Sequence, residues 1–168
     1  AGAPGHRLPG RDYETFLASG SPDPPNSLLG SEEDTISINY TSGTTGRPKG
    51  VMYSHRGAYL NALGEALEVG LTSDSVYLWT LPMFHCNGWC FPWAVVAMGG
   101  THVCLRKLDP ATVFRLIQQE RVSHFCAAPT ILIMLLNHPA IKELRLERPL
   151  RIVTAAAPPS PTVIQAVE

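Results

Sequence analysis

The spacing of apolar and polar positions changes period repeatedly along this 168-residue chain, and each change marks a switch between strand and helix. Ile36-Ser37-Ile38-Asn39-Tyr40 alternates residue by residue, as a half-buried strand does, and Val51-Met52-Tyr53 is a second short β-type run. Ser54 can cap a following helix, whose apolar positions are Ala58, Ala62, Leu63, Ala66 and Leu67. Val76 to Thr80 then reads as a strand. Asp109-Pro110 is a helix start, with Val113, Leu116 and Ile117 on one apolar face. Val122 to Ala127, Thr130 to Asn137 and Leu150 to Thr154 continue as strand, helix and strand. This alternation predicts an α/β fold with a mostly parallel sheet covered by helices, and binding loops gathered at the strand ends.

Residues 1–30 break the pattern. Pro4, Pro9, Pro22, Pro24 and Pro25 stand among glycines and serines, and only Tyr13 to Ala18 suggests a short helix. That segment is expected to be linker-like, and residues 31–168 to form the folded domain. The chain opens at Ala1 without a methionine and stops at Glu168 within a helical pattern, so both ends read as cut. No signal-type apolar segment and no internal repeat are evident.

The stretch between Asp74 and Arg106 holds no Lys, Arg, Asp or Glu, which raises the question of a membrane span. Pro82, His85, Asn87, Gly88, Pro92 and His102 interrupt it. Its longest clean run, Trp93 to Met98, is far short of the roughly 20 residues a bilayer needs. A buried strand, a buried helix and another strand fit better. Trp89 and Trp93 suit core packing or the wall of an acyl tunnel.

Bulk composition adds little beyond exclusions. With 45% hydrophobic residues and 13 basic against 14 acidic side chains, nothing favours nucleic acid or an anionic membrane as partner. Cys86, Cys90, Cys104 and Cys126 form no disulfide framework in a chain this long, which suits a reduced, cytoplasmic setting. His85, Cys86 and Cys90 lack the second cluster that a zinc site needs, so no metal ligands are assigned. Nothing in the sequence sets an oligomeric state.

The chemistry concentrates in Thr41-Ser42-Gly43-Thr44-Thr45-Gly46-Arg47-Pro48-Lys49-Gly50, which lies between the first two β-type runs. Gly43, Gly46 and Gly50 tolerate positive φ, so consecutive N–H groups can turn inward into an anion-binding concavity. Thr41, Ser42, Thr44 and Thr45 add hydroxyl donors, and Lys49 adds a mobile positive charge. Each hydrogen bond to a charged phosphate oxygen contributes roughly 1.5 to 3 kcal/mol, so a few such donors localise a triphosphate. A Walker A loop is excluded, because that pattern places Ser or Thr after the lysine, and Gly50 follows Lys49 here.

This run resembles the signature of the adenylate-forming (AMP-binding) superfamily, which includes acyl-CoA ligases, luciferases and peptide-synthetase adenylation domains. Leu81-Pro82-Met83-Phe84-His85-Cys86-Asn87-Gly88-Trp89 resembles the superfamily's aromatic-histidine element beside the carboxylate substrate. Together with Gly99 to Leu105, it is similar to acyl-CoA ligases for short and medium acids, including the methylmercaptopropionate type. Ala155-Ala156-Ala157-Pro158-Pro159 resembles the small-residue loop that packs against adenine, with alanine at both positions where relatives commonly carry one glycine.

The resemblance implies a fragment of the superfamily's N-terminal domain, truncated at its C-terminal end, and a parent protein that is an acid-thiol ligase. A fatty or other carboxylic acid would attack the α-phosphate of ATP, and the acyl-adenylate would pass to CoA, with magnesium assisting. Thr41, Ser42, Gly43, Thr44, Thr45, Gly46 and Lys49 would hold phosphates, and His85 would serve catalysis. Phe84 and Trp89 would meet the acyl group, and Ala155, Ala156, Ala157 and Pro158 the adenine. The acidic magnesium motif, ribose-binding aspartate, hinge and C-terminal lysine expected by resemblance would lie beyond residue 168, so the isolated chain is expected to be inactive. An adenylation domain loading a carrier-protein thiol and a non-catalytic nucleotide-binding fragment stay open as alternatives.

Overall fold

The computed structural model describes residues 10–24, 29–41, 46–155 and 157–168, and the chain divides into two compact units, Ala1–Gly30 and Ser31–Glu168. Among the described residues of the first unit a short helix, α1 (Tyr13–Ala18), is capped by Asp12, whose carboxylate accepts from the Thr15 N–H at 3.1 Å.

The second unit begins with an antiparallel pair, β1 (Thr35–Thr41) and β2 (Lys49–Ser54). Helix α2 (His55–Val69) follows, with the Ser54 side chain accepting from the Gly57 N–H at 3.1 Å. Next come β3 (Val76–Trp79), a short left-handed turn at Cys86–Cys90, α3 (Phe91–Ala97) and β4 (Thr101–Cys104). The chain continues through α4 (Pro110–Gln119), β5 (His124–Cys126) and α5 (Pro129–Leu136). It finishes with β6 (Arg151–Val153) and α6 (Pro161–Val167). Asp109 and Pro110 start α4 as their chemistry dictates: the Asp109 carboxylate accepts from the Thr112 N–H at 2.9 Å, and Pro110 occupies the first turn, where a missing N–H costs nothing.

Strands β3 to β6 form one parallel sheet in the order β4-β3-β5-β6. Side chains alternate across it. Tyr77, Trp79 and Cys126 pack with Ala62, Ala66, Phe91, Ala94 and Val95 of α2 and α3. Leu78 and Phe125 pack on the other face with Val113, Ile117, Leu132 and Val163 of α4, α5 and α6. Each fully buried Phe or Leu here contributes roughly 1.5 to 3 kcal/mol. The charge-free stretch therefore supplies β3, α3 and β4, and among the described residues no helix is long and apolar enough to cross a membrane.

The sequence pattern misplaces one face. In α2 the buried positions are Ala58, Ala62, Ala66 and Val69, while Leu67 is 75% exposed and Leu63 is also exposed. Alanines let α2 lie close against its neighbours, and that close approach selects the small residues over the leucines. The strands are also shorter than their apolar runs. Val122 and Ala127 are buried but lie outside β5, because burial extends past the ladder pairing.

The strand order places a topological switch at β3. The chain leaves β3 for β4 on one side, then crosses to β5 on the other, so connections diverge at the C-terminal ends of β3 and β5. In open parallel sheets that divergence opens a crevice, the usual place for a ligand.

Candidate active site

Two sequence-predicted elements lie at that edge. Leu81 to His85 follow the C-terminal end of β3, and Ala155, Ala157 and Pro158 follow that of β6. Ala156 lies outside the described residues. Thr80 pins the edge, since its hydroxyl donates to the Cys126 carbonyl at the end of β5. At the exit of β6 the Thr154 hydroxyl is buried without a hydrogen-bond partner.

The phosphate-loop candidates sit at the mouth of the β1–β2 pair. Thr41 and Lys49 are directly opposite each other in the ladder, and both are exposed. Gly46 has φ +85° with open space where a Cβ would stand, the left-handed geometry that turns N–H groups toward an anion. Ser42, Gly43, Thr44 and Thr45 lie outside the described residues.

His85 is exposed, and its backbone N–H donates to the Pro82 carbonyl at 3.1 Å. The backbone then runs through five successive left-handed residues, Cys86, Asn87, Gly88, Trp89 and Cys90, with φ between 50° and 63°. Left-handed non-glycine residues cost roughly 1–2 kcal/mol each, so surrounding contacts must hold the turn. Two contacts do so. The Asn87 amide donates to the Ser37 hydroxyl of β1 at 2.9 Å, and Gly88 lies flat against the Trp79 indole. That indole is itself fixed, because its N–H donates to His102 Nδ1 at 2.8 Å. Burial holds the His102 pKa below its ordinary value, which keeps Nδ1 free to accept.

A Cβ at Gly88 would come within 2.6 Å of the Trp79 ring. Gly88→Ala is therefore expected to destabilise the domain by about 1–3 kcal/mol through overpacking against a fixed indole. Chemical denaturation of the variant checks this, and an unchanged midpoint would show that the turn relaxes freely.

Not all predicted residues converge. Trp89 is half-buried and lines a cleft of about 570 Å³ with Met52, Tyr53, Ser54, Asn61 and Glu65. Phe84 is 84% exposed. It lines a different cleft of about 600 Å³, between the ends of β3 and β4, with Leu81, Met83, Arg106 and Lys107. The structure thus brings Trp89 beside β2 and α2 while directing Phe84 to the β4 side. Thr80, Asn87, Asn61 and Glu65 are the site residues that sequence reading missed. The one local signal was Asn87 next to Gly88, a pair that tolerates left-handed backbone. Among the described residues no group of three or more His, Cys, Asp or Glu could hold a metal ion.

The model of the AMP-binding enzyme family matches residues 6–168. The chain belongs to that family. Among its relatives are the peroxisomal acetate/butyrate–CoA ligase AAE7 of Arabidopsis thaliana, 47% identical over 156 residues, and the 4-hydroxybutyrate–CoA ligase 2 of Metallosphaera sedula, 46% identical over 156 residues. The matches cover 91% and 93% of this chain but only 27% and 28% of those proteins, so the chain spans little more than a quarter of their length. The inhibitor-bound N-terminal domain of FACL13 from Mycobacterium tuberculosis superposes with a TM-score of 0.85 at 30% identity, covering 92% of this chain and 38% of that one. ATP-bound MatB from Rhodopseudomonas palustris gives 0.80 at 27% identity, covering 94% and 31%. The α/β fold with its parallel sheet is thus that of the N-terminal domain of adenylate-forming enzymes.

Proposed function

We propose that the full-length protein is an ATP-dependent acyl-CoA ligase for a short carboxylic acid, and that this AMP-binding chain supplies its phosphate loop, acid-facing histidine and adenine loop. The observation that carries the reading is the pairing of Lys49 and Thr41 across the mouth of a hairpin that Asn87 ties to the turn bearing His85. The relatives' names add support, since they act on acetate, butyrate or 4-hydroxybutyrate with CoA.

In this reading an acid oxygen attacks the α-phosphorus of ATP, and the bond to the bridging oxygen breaks to release pyrophosphate. The thiol of CoA then attacks the acyl carbon, and AMP leaves. Thr41, Gly46 and Lys49, with the intervening Ser42, Gly43, Thr44 and Thr45, hold the β- and γ-phosphates as negative charge shifts onto them. His85 orients the acid carboxylate, or stabilises charge beside the α-phosphate. Trp89 walls the acid cleft, Ala155, Ala156, Ala157 and Pro158 pack against adenine, and Phe84 lines the separate cleft on the β4 side. Magnesium does not fit a cage built from the described side chains; it would arrive on the nucleotide's phosphates, as this ion commonly does. The four free cysteines favour a cytoplasmic location, and the peroxisomal name of AAE7 marks the alternative that a fluorescent fusion would reveal.

Acid-dependent exchange of pyrophosphate into ATP tests the proposal. The full-length protein is expected to exchange with short acids and to form their CoA thioesters. The isolated 168-residue chain, carrying about a quarter of its relatives' length, is expected to exchange little. Absence of exchange in the full-length protein with every short acid would overturn the reading, and robust exchange by the isolated chain would overturn the division of labour.

A further inference from the structure

The cleft walled by Trp89 has an unexpected floor. On α2, Asn61 and Glu65 stand one turn apart and share the stripe facing the cleft, whereas Leu60, Leu63 and Leu67 point outward and are exposed. A pocket for a plain alkyl chain would have the reverse pattern, with leucines inward and the carboxylate in water. Glu65 is half-buried, and among the described residues no Lys, Arg or His forms an ion pair with it.

Its neighbours do not neutralise it. Burial raises the Glu65 pKa, and the like charge of Glu68 adds to the effect. Burial also pushes the Cys126 thiol up to about 12, and the Glu65 carboxylate adds to that shift. Tyr77 and Cys90 are raised in the same way, first by burial, with Glu65 contributing. Asn61 and Cys90 line the same cleft as Glu65, and Tyr77 and Cys126 lie in the buried core that Ala62 and Ala66 of the same helix join. A half-buried carboxyl in such surroundings gains most from a ligand that brings a donor of its own, and loses when an apolar ligand strips its remaining water.

Resting on the reading of this cleft as the acid site, we propose that Glu65 is a specificity-determining residue and that the preferred substrate is a short carboxylic acid with a hydroxyl at its far end. The acid's carboxylate lies toward Trp89 and the turn carrying His85, and its terminal hydroxyl donates to Glu65. An acid lacking the hydroxyl leaves Glu65 desolvated and unpaired, which is the arrangement that discriminates most strongly against an analogue missing one polar group.

The test uses the full-length protein and two matched pairs, propanoate against 3-hydroxypropanoate and butanoate against 4-hydroxybutanoate, with kcat/KM read from pyrophosphate release. The wild type is expected to favour the hydroxylated member of at least one pair by about tenfold or more. Glu65→Leu should abolish or reverse that ratio without changing the KM for ATP. Glu65→Gln, whose amide oxygen still accepts, should retain part of it, and decides the matter should the leucine variant not fold. A wild type that prefers the plain acid in both pairs overturns the inference, as does a ratio unmoved by Glu65→Leu or by Glu65→Gln. Turnover of plain acids alone leaves the acid-site reading standing and removes only the role of Glu65. Loss of acid-dependent exchange with every acid removes both.

Discussion

Replacing Lys49 with alanine in the full-length protein is expected to lower kcat/KM for ATP by about 10- to 150-fold, the equivalent of roughly 1.5 to 3 kcal/mol for a lost charge-assisted contact to phosphate. The geometry explains why the loss should be one of binding and charge rather than of folding. Lys49 is the first residue of β2, faces Thr41 across the ladder, and is exposed, so its side chain supports no core. Its removal takes away a cation next to the left-handed backbone at Gly46 and leaves the hairpin's pairing intact. Lys49→Arg should recover part of the loss, because the charge persists while the compact ammonium does not. Steady-state kinetics with varied ATP, together with a thermal melt to confirm an unchanged fold, checks the expectation. Unaltered ATP kinetics in the alanine variant would remove the lysine from the phosphate site.

The second large effect is expected at His85. Its imidazole is exposed and follows the C-terminal end of β3, where the connections of the sheet diverge, so truncation to alanine should cost little stability. Adenylate formation, however, should slow by about 100- to 1,000-fold, the scale on which a single group stabilising developing charge acts. Thioester formation from a supplied acyl-adenylate should fall less. Pyrophosphate exchange isolates the first half-reaction, and exchange at the wild-type rate would exclude His85 from it. The left-handed turn after His85 matters here as well. Five residues held in an unfavourable conformation by Ser37 and Trp79 fix where the imidazole begins its reach.

Local chemistry carried most of the architecture into the sequence. Asp109-Pro110 and Ser54 announced their helices because a cap is a contact between residues three apart. The alternation of β-type and helix-type periods announced the parallel sheet for the same reason. What failed to show depends on contacts far apart in sequence. The choice of alanines over Leu63 and Leu67 for the buried face of α2 is made by the helices packed against it. The Asn87–Ser37 bond joins residues 50 positions apart. The separation of Phe84 and Trp89 into different clefts follows from a turn whose non-glycine members, Cys86, Asn87, Trp89 and Cys90, give little local warning of left-handed backbone. Glu65 was invisible for a related reason: an isolated carboxylate in a helical pattern reads as solvent-facing until the cleft beside it is seen.

The most direct test of the account is a crystal structure of the full-length protein with magnesium and a non-hydrolysable ATP analogue. The account predicts the β- and γ-phosphates against the mouth of the β1–β2 hairpin within reach of Lys49, and the α-phosphate facing the His85 imidazole. Phosphates bound elsewhere, with the hairpin mouth vacant, would contradict it.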